Sequence, residues 1–288
     1  MKHLPFFLLL GLIALSSFTH PNPKVKTYEL QKALDEGLVE LLSIEYLGDK
    51  QLKIRVKNLH KRKDFKVHFK TGLQFASQDT SLQDQIIVQG RSVLVRAAKS
   101  VSPTFTSYCT QASNISPGSG SVFSLKKEAD GKLMELASFL SKKRDMNYMI
   151  QQAVWVLSDE HDLRGLHHED SREALEIQEF VSKLTGKPLP EYTIRYKEAL
   201  EGQQAFTREA VMVVGLHRYQ LAEDGYFSCR IYNEAGELVQ EVFDHMLQKK
   251  GNVRFNFKLK AWNLPKGKYV SRVFKDGELF EEKWVSTV

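Results

Sequence analysis

Two side chains in this sequence, Cys109 and Gln151, could form a covalent bond to one another. Cys109 lies in Ser107-Tyr108-Cys109-Thr110, at the end of a strand-patterned segment, and Gln151 opens Gln151-Gln152-Ala153-Val154-Trp155 on a helix-patterned one. A thiolate attacking the glutamine carboxamide would expel ammonia and leave a thioester, an acyl group that a primary amine can then take. Gln151 follows Tyr148 by three positions and precedes Trp155 by four, so the three share one helical face. Met149, Ile150, Ala153, Val154 and Leu157 form the apolar stripe expected to pack on a sheet. A carboxamide buried without partners costs about 1–3 kcal/mol, and aromatic neighbours would keep a thioester dry until an amine arrived.

The same residues admit other readings. Cys109 also reads as a small buried apolar residue, Trp155 as core, and Gln151 as a cap on backbone groups of the sheet. These describe an exported, non-catalytic binding or scaffold protein with a free structural Cys109. A third reading makes Cys109 an enzyme nucleophile, with a base among His161, His167 and His168 and an orienting carboxylate from Asp159, Asp162 or Asp170. Those histidines fall in a polar stretch that reads as a solvated loop, and their adjacency lacks the fixed spacing of a metal site. No Gly-rich phosphate loop, Gly-x-Ser-x-Gly elbow or pair of catalytic carboxylates stands out, so no catalytic residue, metal or cofactor is expected.

The elements that must position these side chains fall into two groups. A short helix is expected over Thr27 to Glu36, closed by Gly37. Period-two alternation follows in Leu52, Ile54 and Val56, in Phe65, Val67 and Phe69, and in the runs from Ile86 and Val93. About five or six such strands predict an antiparallel sandwich or partial barrel. From Lys126 the period becomes helical. Leu133, Leu136, Ala137 and Leu140 mark one helix, Asp145 to Leu157 a second, and Ala174, Ile177, Val181 and Leu184 a third that stops at Gly186. The first domain, 37–190, is therefore expected to be α+β with about three helices, preceded by a segment over 20–36 and followed by a linker over 191–206.

Residues 207–288 read as an all-β, immunoglobulin-like sandwich. Alternating runs recur at even intervals, and Asp276-Gly277 between two of them suits a type I′ turn, whose central residues both need positive φ. The only two cysteines, Cys109 and Cys229, invite a disulfide in an exported chain. Cys229, however, alternates in phase with Phe227 and Ile231 on the core face of its strand, so Cys109 is expected to stay unpaired.

Export itself is expected from the N-terminus. Lys2 and His3 precede an apolar run from Leu4 to Leu15, with small residues at Ser16, Ser17 and Thr19, the layout of a signal peptide over 1–19. No later run has spanning length, so a secreted, periplasmic or cell-surface protein without a transmembrane segment is expected after cleavage. Composition is globular at 42% hydrophobic residues, and the net charge of +6 is spread along the chain. Only Lys57 to Lys70 is densely basic, and on alternating strands around a turn such charges form a solvated face rather than a nucleic-acid site.

Tyr108-Cys109 together with Gln151-Gln152-Ala153-Val154-Trp155 resembles the paired motifs of bacterial thioester domains. The resemblance covers about 50 residues and implies a Cys109–Gln151 cross-link, with Tyr108 and Trp155 as shielding aromatics. It further implies an adhesin-like function, acylation of amines on a surface protein or glycan ligand. The final segment resembles the immunoglobulin-like modules of flagellar hook-cap proteins and type IX secretion sorting domains. Ile231-Tyr232-Asn233-Glu234-Ala235-Gly236, Leu264-Pro265-Lys266-Gly267-Lys268-Tyr269 and the Asp276-Gly277 hairpin carry that likeness, which implies a presenting, spacing or sorting module.

Overall fold

The computed structural model describes residues 25–143, 146–168 and 171–288. The expected signal peptide over 1–19 lies outside them, as do Asp145 and Asp170.

In the N-terminal part the alternating segments pair as the period-two pattern requires. The strands are β1 (Thr27–Glu29), β2 (Val39–Gly48), β3 (Gln51–Asn58), β4 (Phe65–Phe69), β5 (Leu73–Ser77), β6 (Gln85–Ile87), β7 (Arg91–Val95), β8 (Ser100–Val101), β9 (Thr104–Cys109) and β10 (Phe123–Glu128). They form a three-stranded sheet, β1-β4-β7, and a seven-stranded one in the order β10-β5-β6-β9-β3-β2, with β8 also on β3. The inward residues Leu52, Ile54, Val56, Phe69 and Phe75 are fully buried and bind the two sheets into a partial barrel. Leu30 and Ala33 of helix α1 (Leu30–Asp35) close one end. The helix expected from Thr27 starts three residues later, because Thr27–Glu29 pairs in parallel with Lys66–His68. Long-range pairing overrides the local preference there.

Three helices follow, α2 (Gly131–Leu140), α3 (Asn147–Ser158) and α4 (Ser171–Thr185). Their apolar stripes, including Leu136, Leu140, Ile150, Ala153, Ile177 and Val181, meet Ile86, Val88 and Tyr108 from the sheet in a second core. Lys126, expected in the first helix, belongs instead to β10, paired with β5.

The C-terminal part has seven strands in two sheets, packed as a sandwich. One sheet is β11 (Tyr192–Glu198), β12 (Phe206–Leu221) and β15 (Gly251–Lys260); the other is β14 (Leu238–Gln248), β13 (Gly225–Asn233), β16 (Lys268–Lys275) and β17 (Glu278–Ser286). Ile194, Val213, Ile231, Phe257 and Leu259 are fully buried between them. Asp276 and Gly277 both take positive φ at the β16–β17 hairpin, as that turn demands. Residues 192–198, read from sequence as linker, are a paired strand of the first sheet.

Candidate functional site

The site is built where β9 outruns its neighbour β3. Those strands pair from Gln51↔Thr106 to Lys53↔Thr104, and the next amide along β9, Ser107 N–H, donates to the Lys50 carbonyl at 2.8 Å. Beyond that point Gln151 of α3 takes the strand's place. Cys109 N–H donates to Gln151 Oε1 at 2.9 Å, and Gln151 Nε2 donates to the Cys109 carbonyl at 2.9 Å. Both ends of the carboxamide are thus spent on the peptide groups of the cysteine, which satisfies a buried glutamine and fixes its distance from the thiol-bearing residue.

On the other side of β9, Cys109 is directly opposite Gln85 of β6. Gln85 Nε2 donates to Cys109 Sγ at 3.2 Å. Trp155, one helical turn beyond Gln151, is buried and donates through Nε1 to Gln83 Oε1 at 3.2 Å. Cys109, Gln151, Gln152 and Trp155 border a cavity of about 190 Å³, walled also by Tyr46, Tyr148, Tyr196 and Phe206, with Asp49, Lys50, Glu198 and Glu201 among the charged residues around it. The β2–β3 hairpin delivers Lys50. Asp49 and Lys50 both adopt left-handed φ, of 47° and 60°, and Lys50 N–H donates to Tyr46 Oη at 2.9 Å.

The C-terminal part supplies the remaining wall. Tyr196 N–H donates to Tyr148 Oη at 2.8 Å. Ser116 N–H donates to the Gln203 carbonyl at 2.8 Å, and Ala205 N–H to the Asn114 carbonyl at 3.1 Å. Ala112, Trp155, Ala205 and Phe206 then pack as a small apolar cluster that also touches Cys109. The segment read as a linker is therefore a cover.

Burial pushes the Cys109 thiol up to about 11, against the Gln85 amide and the Lys50 ammonium, which favour the thiolate. Burial likewise raises Tyr46 to about 12. Burial of the sulfur beside these aromatic walls disfavours charge on it.

Of the residues singled out from sequence, Cys109, Gln151 and Trp155 come together. Tyr108 does not join them. Strand alternation turns it to the opposite face, where it packs under the helices and donates from Oη to Asn147 Oδ1 at 2.7 Å. The histidines stay outside the cavity. His161 backs its wall, edge-on to Phe206 at 4.1 Å and with its ring 5.7 Å from that of Trp155, and borders an adjoining cavity with Asp162 and Arg164, while His167 Nδ1 is 3.0 Å from Thr193 Oγ1. None lines the Cys109 cavity. Asp159 accepts from Ser113 N–H, and Asp162 pairs with Arg164. Both cysteines are free, and Cys229 is buried beside Ser271. Sequence reasoning missed Gln85, Lys50 and Tyr46. Gln85 sits in Gln83-Asp84-Gln85, a polar stretch without chemical signature, and only the strand register reveals it.

No protein-family model matches the chain, and no curated protein matches it significantly. Among solved structures, red sea bream transglutaminase is 12% identical with a TM-score of 0.19, over 89% of this chain and 32% of that one. A β-glucosidase from Kluyveromyces marxianus in complex with glucose is 7% identical with a TM-score of 0.20, over 87% of this chain and 47% of the enzyme. The chain spans less than half the length of either structure. Fold and site together define a β-rich protein whose helix-bearing partial barrel is followed by a β-sandwich, with a covered cysteine–glutamine pocket at their junction. Among the described residues no helix is long and apolar enough to cross a membrane, and no cluster of three or more His, Cys, Asp or Glu could hold a metal ion.

Proposed function

We propose that the protein is a secreted or surface-associated, adhesin-like binder that captures amines covalently through an internal thioester between Cys109 and Gln151. The pairing of the Gln151 carboxamide with the Cys109 peptide group, at 2.9 Å through each end, carries this reading. Formation would proceed by attack of the Cys109 sulfur on Gln151 Cδ. The carbonyl oxygen, already accepting from Cys109 N–H, would bear the developing negative charge, and the amide nitrogen would leave as ammonia. A primary amine of a surface protein or glycan ligand would then attack the same carbon. Its nitrogen would become part of a new amide on Gln151, and Cys109 would regain its thiol. The C-terminal sandwich, besides covering the pocket, would present or space the reactive half.

A second reading keeps the same bonds and drops the chemistry. Gln151 then serves as the last rung of the sheet beside β9, and Cys109 is a structural thiol whose burial suppresses ionisation. The intact mass of the purified mature protein separates the two. The thioester predicts a deficit of one ammonia, absent from Cys109→Ala and Gln151→Ala chains and replaced by an adduct after methylamine treatment. An unmodified mass with one titratable thiol at Cys109 leaves the passive binding protein standing.

A further inference from the structure

Gln85 is fully buried at the one place in the sheet where its side chain faces the sulfur of Cys109. Directly opposite residues of an antiparallel pair project from the same face, so the β6–β9 register brings the two together without any long reach. The amide is also oriented. Ser107, two positions before Cys109 on the same face of β9, donates from its hydroxyl to Gln85 Oε1 at 2.9 Å, which leaves Nε2 aimed at Sγ. A neutral thiol is a weak acceptor, a poor return for an amide donor held away from water. A sulfur that carries negative charge is a strong one, because charge-assisted hydrogen bonds are about twice as strong as neutral ones.

We infer that Gln85, buried behind the pocket and not lining it, is a catalytic residue, the donor that stabilises negative charge on the Cys109 sulfur. The inference rests on the thioester reading above. Sulfur becomes charged twice in that chemistry, as the attacking thiolate when the thioester forms and as the departing thiolate when an amine displaces it. The Cys109 N–H faces the Gln151 carbonyl oxygen, where the oxyanion develops, and Gln85 Nε2 faces the sulfur. Each centre of developing charge thus has its own donor, fixed before reaction and therefore stronger toward the transition state than toward the resting thiol. When the amine attacks, its nitrogen bonds to Gln151 Cδ, the C–S bond breaks, and the electron pair leaves on sulfur beneath Gln85. The amine's surplus proton then restores the thiol.

The test uses the full mature chain and its Gln85→Met and Ser107→Ala variants, with methylamine as the probe. Intact mass reports thioester content, the time course of adduct formation reports aminolysis, and thermal melting reports folding. Gln85→Met should retain the fold and lose methylamine reactivity by about 10- to 100-fold, the worth of one hydrogen bond to a charged group. Ser107→Ala, which frees the amide to rotate, should give a smaller loss in the same direction. A Gln151→Ala background, in which the thiol must be free, supplies a readout that a packing role would not move. There the pH midpoint of Cys109 alkylation should rise when Gln85→Met is added. Wild-type aminolysis and alkylation midpoints unchanged by Gln85→Met would overturn the inference while leaving the thioester intact. So would peptide mapping that found the acyl bond to Cys109 on Gln85 instead of Gln151. A wild-type chain without the ammonia deficit would instead sink the thioester reading and this inference with it.

Discussion

Gln151 joins stability and chemistry in one side chain, and the two can be measured apart. In a Cys109→Ala chain no thioester can form, so Gln151 contributes only its two hydrogen bonds to the peptide groups of residue 109. Gln151→Met keeps the length of the side chain and abandons both partners. Leaving a partly buried N–H and C=O unpaired is expected to cost about 1–3 kcal/mol, read as a lower urea midpoint with an unchanged slope. Gln151→Glu should cost at least as much, since a carboxylate oxygen would then oppose the Cys109 carbonyl. An effect within a few tenths of a kcal/mol for both variants would show that water replaces the fork. At this scale the sequence exposes Cys109, Gln151 and Trp155, because a thiol without an evident partner and a glutamine set among apolar helix positions stand out by type and place. Tyr108 misleads because adjacency along a strand means opposite faces, and the position of the strand's core face was not fixed by its neighbours. Gln85 is silent because its role comes from register, which no local pattern encodes.

Among the elements, the β2–β3 hairpin shows tension between folding and placement. Its two turn residues, Asp49 and Lys50, both need left-handed backbone, a conformation that suits Asn-Gly or Asp-Gly and is costly for lysine. Lys50 nevertheless sits there, with its ammonium near the Cys109 pocket and 3.4 Å from the Glu198 carboxylate. An ion pair this exposed contributes little. Lys50→Gly is therefore expected to stabilise the protein by about 1 kcal/mol through the relieved turn. The same substitution should make the thiol harder to ionise, since the ammonium that favours the thiolate is gone. Denaturant midpoints and the pH profile of Cys109 alkylation, compared in a Gln151→Ala background, check both halves. A destabilised Lys50→Gly chain would show that its side-chain contacts outweigh the strain. The alternation of the barrel strands and the stripes of α2 and α4 were legible because each buries one face, whereas α3 is buried on every side from Met149 to Val156 and its stripe understates that burial. Strand β11 was not, although Tyr192, Ile194 and Tyr196 alternate, because the charges at Arg195, Lys197 and Glu198 give seven residues the composition of a linker.

Across the whole molecule, the covered pocket ties the state of the barrel to that of the sandwich. Strand β12 begins at Phe206, against Trp155 and Tyr196 at the pocket, and ends in the C-terminal core. About three-quarters of the way along it His217 is fully buried, with Nδ1 3.0 Å from Glu281 Oε2 and Nε2 2.9 Å from Ser271 Oγ. Burial holds its pKa below the usual histidine value, opposed by the Glu281 carboxylate and reinforced by Lys283. His161, beside Phe206, is lowered by burial as well. A folded-state pKa below the unfolded one means that the unfolded chain binds the proton first. The stability due to the neutral imidazole is complete above about pH 6.5. It is lost as pH falls from there toward the folded value. Urea unfolding between neutral and mildly acidic pH should therefore show a declining midpoint. His217→Gln, which keeps hydrogen-bonding capacity and removes the titration, should flatten part of that decline, with His161 accounting for some of the remainder. Glu281→Gln removes the charge that favours the imidazolium, so it should depress the folded pKa further and extend the loss to lower pH. Identical slopes in the wild type and His217→Gln would show that His217 titrates alike in both states, and acid would then act on the strand that covers the pocket only through His161 beside Phe206.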